Sequence, residues 1–293
     1  MTSTIESGPF VITGGGGMLA HALAAALRRR GVEPIVLSRD TLDITHESEA
    51  RAALETIRPS VVLNCAAHTK VDLCEEQEDV AASVNGIGVG HLATAARDFS
   101  AKLVHYSTDF VFDGSSTRPY RPEDPVKPIS AYGRSKLLGE RAIQRINPPG
   151  WLVIRTAWLY GPGGPCFPQT MINAARAGKP LKVVADQVGS PTFTHDLADA
   201  TLDLIDHDAS GIWHLTNVGS VSWHGFTAAI LEEFGLKTDL SETTSAEWKR
   251  LRPTSATRPA YSVLDVEPFA RLTGKPMRPW REALHAYRVA LGA

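Results

Sequence analysis

Tyr132 and Lys136 stand four residues apart in AYGRSK (131–136), a spacing that on a helix sets two side chains on one face, one turn above the other. An ammonium beside a phenol favours the phenolate, so a tyrosine with an ordinary pKa of about 10 can then exchange a proton near neutral pH. Upstream, the run AKLVHYS (101–107) gives way to Thr108, whose hydroxyl falls where a strand ends. Ligands of open α/β sheets collect at the carboxyl ends of strands, so Thr108 can hydrogen-bond the same substrate oxygen that Tyr132 protonates. Acid–base work at a carbonyl or alcohol is the chemistry these three residues suit. A Tyr and a Lys at this spacing also occur on many helix surfaces, so the pair gains weight only from its setting.

A second chemical signal is TGGGGMLA (13–20). Gly14, Gly17 and Ala20 fit G-x-x-G-x-x-A, and Gly15, Gly17 and Ala20 fit G-x-G-x-x-A. Glycines let the backbone approach a pyrophosphate at a helix amino terminus, here Met18 and Leu19, where free N–H groups and the helix dipole favour an anion. A merely flexible turn is the competing reading; the position between a strand and a helix favours a dinucleotide. The next strand, PIVLS (34–38), ends in Ser38 and Arg39, with Asp40 one step later. A guanidinium there suits a ribose 2′-phosphate, whereas a carboxylate at the strand end would select the free hydroxyl. The expected cofactor is NADPH, with NADH also able to serve because Asp40 is close.

The elements that must carry these groups alternate along the chain. PFVIT (9–13), PIVLS, SVVLNCAA (60–67), AKLVHYS and WLVIRT (151–156) read as strands, SVVLNCAA as a buried one, and 18–30, 47–57, 81–99 and 132–146 as helices. The expectation is an α/β fold: a doubly wound parallel Rossmann sheet with a smaller interleaved α/β substrate lobe. Residues 1–157 form the dinucleotide-binding domain, with roughly 181–215 contributing to the sheet; 158–180 and 216–293 form the smaller substrate-binding lobe. PGGPCFP (162–168) and TSATRP (254–259) read as loops.

Composition narrows the function classes. A chain of 293 residues, 43% hydrophobic with a formal net charge of -2, has the core of a globular protein and no basic field for nucleic acid. No charged-then-apolar leader opens it and no apolar run approaches the roughly 20 residues of a bilayer span, so the expected setting is the cytoplasm, with no membrane partner. Cys65, Cys74 and Cys166 form no CxxC pair and read as free thiols. The ten histidines show no paired ligand spacing; His68, His105, His195 and His214 read as structural or surface groups, and no catalytic metal is expected. Asp72, Glu75, Glu76, Glu78 and Asp79 read as a solvated helix start.

Further motifs stand almost end to end: LDIT (42–45), NCAAHTKVDLCEEQEDVAASVN (64–85), YSTDFVFDG (106–114), AYGRSKLLGE (131–140), RTAWLYG (155–161), DQVGSPTF (186–193), GIWHL (211–215), VSW (221–223) and RPTSATRPAYSVLD (252–265). With them the chain resembles the extended short-chain dehydrogenase/reductase superfamily and, within it, the dTDP-4-dehydrorhamnose reductases. That resemblance implies hydride transfer from NAD(P)H to the C4 keto carbon of a dTDP-4-keto-6-deoxy-L-hexose, with Thr108, Tyr132 and Lys136 as the catalytic trio. Lys136 and Tyr132 would also meet the cofactor, alongside Gly14, Gly17, Asp43, Ile44, Ala66 and Ala67. Asp109 and Trp158 would face the sugar, core packing being the alternative for Trp158. Arg258 suits either a diphosphate or a structural ion pair, and Val71 or Asp72 has room for a local role beside the cofactor. Ala20, Cys65 and Cys74 depart modestly from the family's pattern. The partners implied are a dTDP-sugar and, for the chain itself, a monomer or homodimer. Two rival functions stay open: a reductase or epimerase for another nucleotide deoxysugar, and a noncatalytic subunit resembling the regulatory subunit of methionine adenosyltransferase. Thr108-Asp109 and Trp158 favour the enzyme over the latter.

Overall fold

Apolar runs that need cover on both sides become the strands of one sheet. In this computed structural model, which describes residues 8–292, they are β1 (Phe10–Thr13), β2 (Ile35–Leu37), β3 (Val61–Asn64), β4 (Lys102–Thr108), β5 (Leu152–Thr156) and the strand Gly211–His214. Their spatial order is β2, β1, β3, β4, β5 and Gly211–His214, and every pairing among them is parallel. The helices around the site are α1 (Met18–Arg29), α2 (Glu47–Ile57), α3 (Val71–Glu76), α4 (Glu78–Ala82), α5 (Gly88–Asp98) and α6 (Ala131–Ile146). On one face Val61 and Leu63 pack with Phe10, Ile12 and the α1 residues Leu23 and Leu27. On the other, Val62 and Leu103 pack with Leu92 of α5 and Ile143 of α6. In β1, β3, β4 and β5 every side chain is buried whichever way it points, which explains why their apolar residues fall at successive positions and do not alternate; in β2, at the sheet edge, Ile35 and Val36 are exposed. Each buried Leu or Ile contributes about 1.5–3 kcal/mol by leaving water.

The order places β2 and β3 on opposite sides of β1, so the chain crosses over and opens a crevice between the carboxyl ends of β1 and β3. Leu159 onward forms smaller pairings: Leu159–Tyr160 with Thr192–Phe193, Val188–Gly189 with Val221–Ser222, and Leu181–Val184 with Leu240–Thr243. An aromatic cluster that includes Tyr160, Phe193, Phe226, Trp280 and Tyr287 forms the main core of this part of the chain. Two sequence expectations change in detail. Of 181–215, only Gly211–His214 enters the large sheet, because Leu181 and Val183 find cover against Ala175 and Leu231 in a separate cluster. The helix expected over 81–99 is α4 and α5 joined by a π-helical turn, Ser83–Ile87. That turn accommodates Asn85, whose side chain accepts the His68 N–H and donates to the His68 carbonyl and to Ser135 Oγ of α6. Opposite it, Gly139 lets α6 approach: a Cβ there would lie 2.3 Å from the Asn85 carbonyl oxygen.

What seats α6 on the sheet is a buried ion pair. Glu140 and Arg155, with side chains 1% and 3% exposed, meet through two hydrogen bonds, Nε to Oε1 at 3.0 Å and Nη2 to Oε2 at 2.8 Å. Ser107 Oγ also donates to Glu140 Oε1 at 2.5 Å, and the guanidinium lies over the Phe112 ring. Helix, β4 and β5 are thereby fixed to one another just below the residues of chemical interest. Removing one partner leaves the other charge buried and alone, so Glu140→Ala should lower the unfolding free energy by about 3–5 kcal/mol in urea titration. Glu140→Gln, which keeps the volume and an acceptor but not the charge, should cost less; equal losses in the two variants would mean that the lost charge alone, not the cavity, sets the effect.

Candidate active site

The turn after β1 sets one wall. Gly14 takes φ +67, and a Cβ there would lie 2.6 Å from the Ala66 backbone nitrogen, so residue 14 must be glycine for β1 and β3 to end side by side. Gly17 donates its N–H to the Gly14 carbonyl and begins α1, which has no side-chain cap and no acid in its first turn. The opening N–H groups at Met18 and Leu19 are left to an anion. A Cβ added at Gly16 would meet nothing within 4 Å, so the backbone there borders open space. This cradle fits a dinucleotide pyrophosphate.

One cavity of about 910 Å³ is lined by Gly14, Gly17, Met18 and Leu19; Ser38, Arg39, Asp43 and Ile44; Ala66 and Ala67; Val71; Thr108 and Asp109; Tyr132 and Lys136; Trp158 and Arg258, whereas Gly15 and Asp72 are not among its lining residues. Its walls include three buried polar atoms with no hydrogen-bond partner among the described residues, His68 Nε2, Asp109 Oδ2 and Thr156 Oγ1. Orphaned groups of this kind suit a polar ligand. At the far end Arg39 is 81% exposed, its Nε 3.1 Å from Asp43 Oδ2. Hydrogen bonds from Thr45, aided by Arg39, hold the Asp43 carboxyl below the usual carboxylate range.

Tyr132 and Lys136 occupy the first turns of α6, which Ser130 caps by accepting the Gly133 N–H. Here one sequence expectation is corrected. Lys136 does not lower the phenol; burial, helped by the Asp109 carboxylate, pushes Tyr132 well above its ordinary range, and a hydrogen bond with Thr108 only partly opposes this. Lys136 Nζ instead lies 3.3 Å from His105 Nε2, and burial brings its pKa down to about 8 against the pull of Glu140 and Cys65. In a site this dry, loss of water outweighs the pairwise attraction that helix spacing suggests. Thr108 Oγ1 accepts the Phe110 N–H and donates to Asp109 Oδ1 at 3.0 Å. Burial raises the Asp109 carboxyl to about 6, held back by the nearby Ser262 and Thr108 hydroxyls.

The other assignments divide. Trp158 lines the cavity and also stacks on Trp223, centroids 3.5 Å apart and planes 6° from parallel; Trp223 is a wall residue that sequence reasoning did not single out. Arg258 also lines the cavity, yet its Nη2 donates to Asp72 Oδ1 at 2.9 Å, the ion pair that was one of its two readings. The acidic run is more than a solvated helix start: Asp72 also accepts the Ala256 N–H, Glu75 the Ala131 N–H at the head of α6, and Glu78 pairs with Arg134. Carboxylates exposed to water still tether when a neighbouring loop presents unpaired donors. His105, read as structural, touches Lys136; no spacing rule links residues 105 and 136, which only the packing of α6 on β4 brings together. Cys65, Cys74 and Cys166 are free thiols. Among the described residues no cluster of His, Cys, Asp or Glu is arranged to hold a metal ion, and no helix is long and apolar enough to cross a membrane.

Residues 9–291 match the family model of the RmlD substrate binding domain. The spore coat polysaccharide biosynthesis protein SpsK of Bacillus subtilis is 42% identical over 277 residues, 94% of this chain and 95% of that protein. A dTDP-4-dehydrorhamnose reductase of Streptomyces griseus is 40% identical over 287 residues, 94% of this chain and 91% of its own length. The solved structure of dTDP-4-dehydrorhamnose reductase from Bacillus anthracis in complex with NADP superposes with a TM-score of 0.91 at 34% identity, covering 96% of this chain and 99% of that one.

The two ends of the glycine turn should respond differently to substitution. Gly16→Val, whose side chain enters open space, should leave the melting temperature nearly unchanged while weakening NADPH binding at least tenfold by nucleotide fluorescence. Gly14→Val should instead lose stability, by more than the roughly 1 kcal/mol of an ordinary substitution. Native affinity in Gly16→Val would remove the cradle from the binding site.

Proposed function

This chain belongs to the dTDP-4-dehydrorhamnose reductase family of extended short-chain dehydrogenases/reductases, and we propose that it reduces the C4 keto group of dTDP-4-dehydrorhamnose to give dTDP-L-rhamnose, with NADPH preferred and NADH usable. The observation that carries this reading is the convergence of Thr108, Tyr132 and Lys136 with the glycine turn on a single cavity. It also favours an enzyme over a noncatalytic relative, since every group the chemistry needs is present. The same proposal sets the enzyme in the cytoplasm, as a monomer or homodimer.

The Gly14–Gly17 turn with Met18 and Leu19 would hold the pyrophosphate, Ser38 and Arg39 the adenosine ribose and its phosphate, and Asp43, Ile44, Ala66 and Ala67 the flanking walls. Bound there, NADPH supplies the hydride that reduces C4. Tyr132 delivers the proton to the C4 oxygen, and the burial that raises its phenol keeps that proton in place until negative charge develops nearby. Thr108, which in the structure donates to Asp109, turns its hydroxyl to the same oxygen as charge grows on it. Lys136 as the ammonium stabilises the tyrosinate left behind. Asp109 and Trp158 border the hexose, and Arg258 exchanges Asp72 for the diphosphate.

The direct test mixes purified protein, NADPH and dTDP-4-keto-6-deoxy-L-lyxo-hexulose and follows the absorbance of the reduced cofactor; no decay above background removes the proposed reaction. Tyr132→Phe should lower kcat by about 10³–10⁴ with cofactor affinity nearly intact, because the ring still packs while the proton is gone. Thr108→Ala should cost less, about 10², and a harsher effect there than at Tyr132 would exchange their roles. For cofactor choice, kcat/KM should be higher with NADPH than with NADH, and Arg39→Ala should shrink that ratio about tenfold, the worth of one exposed charge-assisted contact. A native preference for NADH, or an unchanged ratio in the variant, refutes the assignment of Arg39.

A further inference from the structure

Behind Lys136 lies a chain of buried hydrogen bonds that the reduction of C4 does not itself require. Asn64, the last residue of β3, accepts the Ala66 N–H at 3.2 Å and the Thr13 hydroxyl at 2.7 Å on Oδ1. The Ala66 N–H can only donate, so it fixes which end of the Asn64 amide is oxygen. Nδ2 therefore faces His105, and lies 3.0 Å from Nδ1. Both Nδ2 hydrogens are donors, which leaves His105 Nδ1 bare as the acceptor. Burial, reinforced by Lys136, holds this imidazole well below its usual pKa, so it is neutral and its single proton sits on Nε2. Nε2 faces Lys136 Nζ at 3.3 Å. An N–H can donate to an amine, which has a lone pair, but not to an ammonium, which has none.

We propose that His105, locked as its Nε2–H tautomer through Asn64, is a positioning residue that receives Lys136 only as the neutral amine and turns the ammonium out into the cavity, toward Tyr132 and the cofactor. The inference rests on the proposed function for its meaning, though not for its chemistry. The chain is not a proton wire, because the Asn64 amide cannot pass a proton on. Its effect is to couple the place of Nζ to its charge. Protonated, Lys136 stands where it can serve the tyrosinate and a ribose hydroxyl; deprotonated, it retires against β4. The other titratable groups around Nζ are the Cys65 thiol after β3 and Glu140 on α6, the Glu140 carboxylate being already taken by Arg155. Lys136 titrating at about 8 puts the changeover within the range of ordinary assays.

The tautomer can be read in the native protein from the imidazole ¹⁵N shifts of His105, with Nδ1 expected bare and Nε2 protonated; a proton on Nδ1 overturns the proposal whatever the variants do. The pH dependence of NADPH binding, followed by nucleotide fluorescence without any sugar, then reads Lys136. His105→Gln offers a carbonyl that accepts from the ammonium, so the alkaline midpoint should rise by about one pH unit, the size of one hydrogen bond to a charged group, and affinity below it should weaken. Asn64→Leu unlocks the ring without adding charge and should move the midpoint the same way. His105→Phe removes the hydrogen bond to the amine without offering the ammonium an acceptor, so its midpoint should rise by less than that of His105→Gln. Unmoved midpoints in His105→Gln and Asn64→Leu, or an equal shift in His105→Phe, sink the idea and leave packing as the role. Failure of the native protein to bind NADPH would instead count against the proposed function, with the tautomer measurement unaffected.

Discussion

A carboxylate buried in a protein core must be paired, and the pairing of Glu140 with Arg155 is the constraint on which the geometry of the cavity depends. Glu140 is one turn beyond Lys136, and its partners Ser107 and Arg155 belong to β4 and β5. Satisfying that charge therefore fixes both the height and the rotation of α6 against the sheet. Gly139 permits the close approach, and Asn85 binds Ser135 of the helix and the loop after β3 together. With the helix locked at these points, Tyr132 and Lys136 have little freedom except in their side chains. Catalysis by placement requires such a scaffold, since a group misplaced by an ångström loses most of its effect.

The same dryness that makes the ion pair matter decides the protonation states above it. Tyr132, Lys136, His105 and Asp109 are all moved toward their neutral forms, and burial is the first cause for each. For a reductase this is the useful direction. In the proposed reduction Tyr132 would keep its proton in the resting site, and stabilisation of a tyrosinate would arise only when charge appears on the substrate oxygen. A site that held phenolate and ammonium as a permanent pair would have nothing to donate.

What the sequence made legible was what local rules govern. The glycine turn, the strand ends at Thr108 and Ser38, and the four-residue step from Tyr132 to Lys136 depend on residues close in the chain, and all of them line the cavity. Its parallel α/β sheet was equally readable, because strands covered on both faces must be apolar throughout. Long-range packing was not readable. His105 meets Lys136 only because α6 lies on β4; Asp72 reaches Arg258 across 186 residues; and Leu181–Val184 joins Leu240–Thr243 because its own small cluster covers it better than the large sheet would. The direction of the Tyr132 shift failed for a related reason. Spacing reports that two groups are near, whereas a pKa also depends on how much water the rest of the fold has removed.

Trp158 shows how far a residue can serve packing and site at once. Its φ of +48 lies in the left-handed region, which a bulky side chain enters at a cost of about 1–3 kcal/mol. Two contacts hold it there. The indole stacks on Trp223, and it presses against Gly189 so closely that a Cβ there would lie 2.5 Å from the ring. The turn after β5 is thus bent so that the indole reaches across to Trp223 and forms part of the cavity wall. Held against Trp223, the indole is a rigid part of the cavity wall that would lose little freedom if a ligand docked against it.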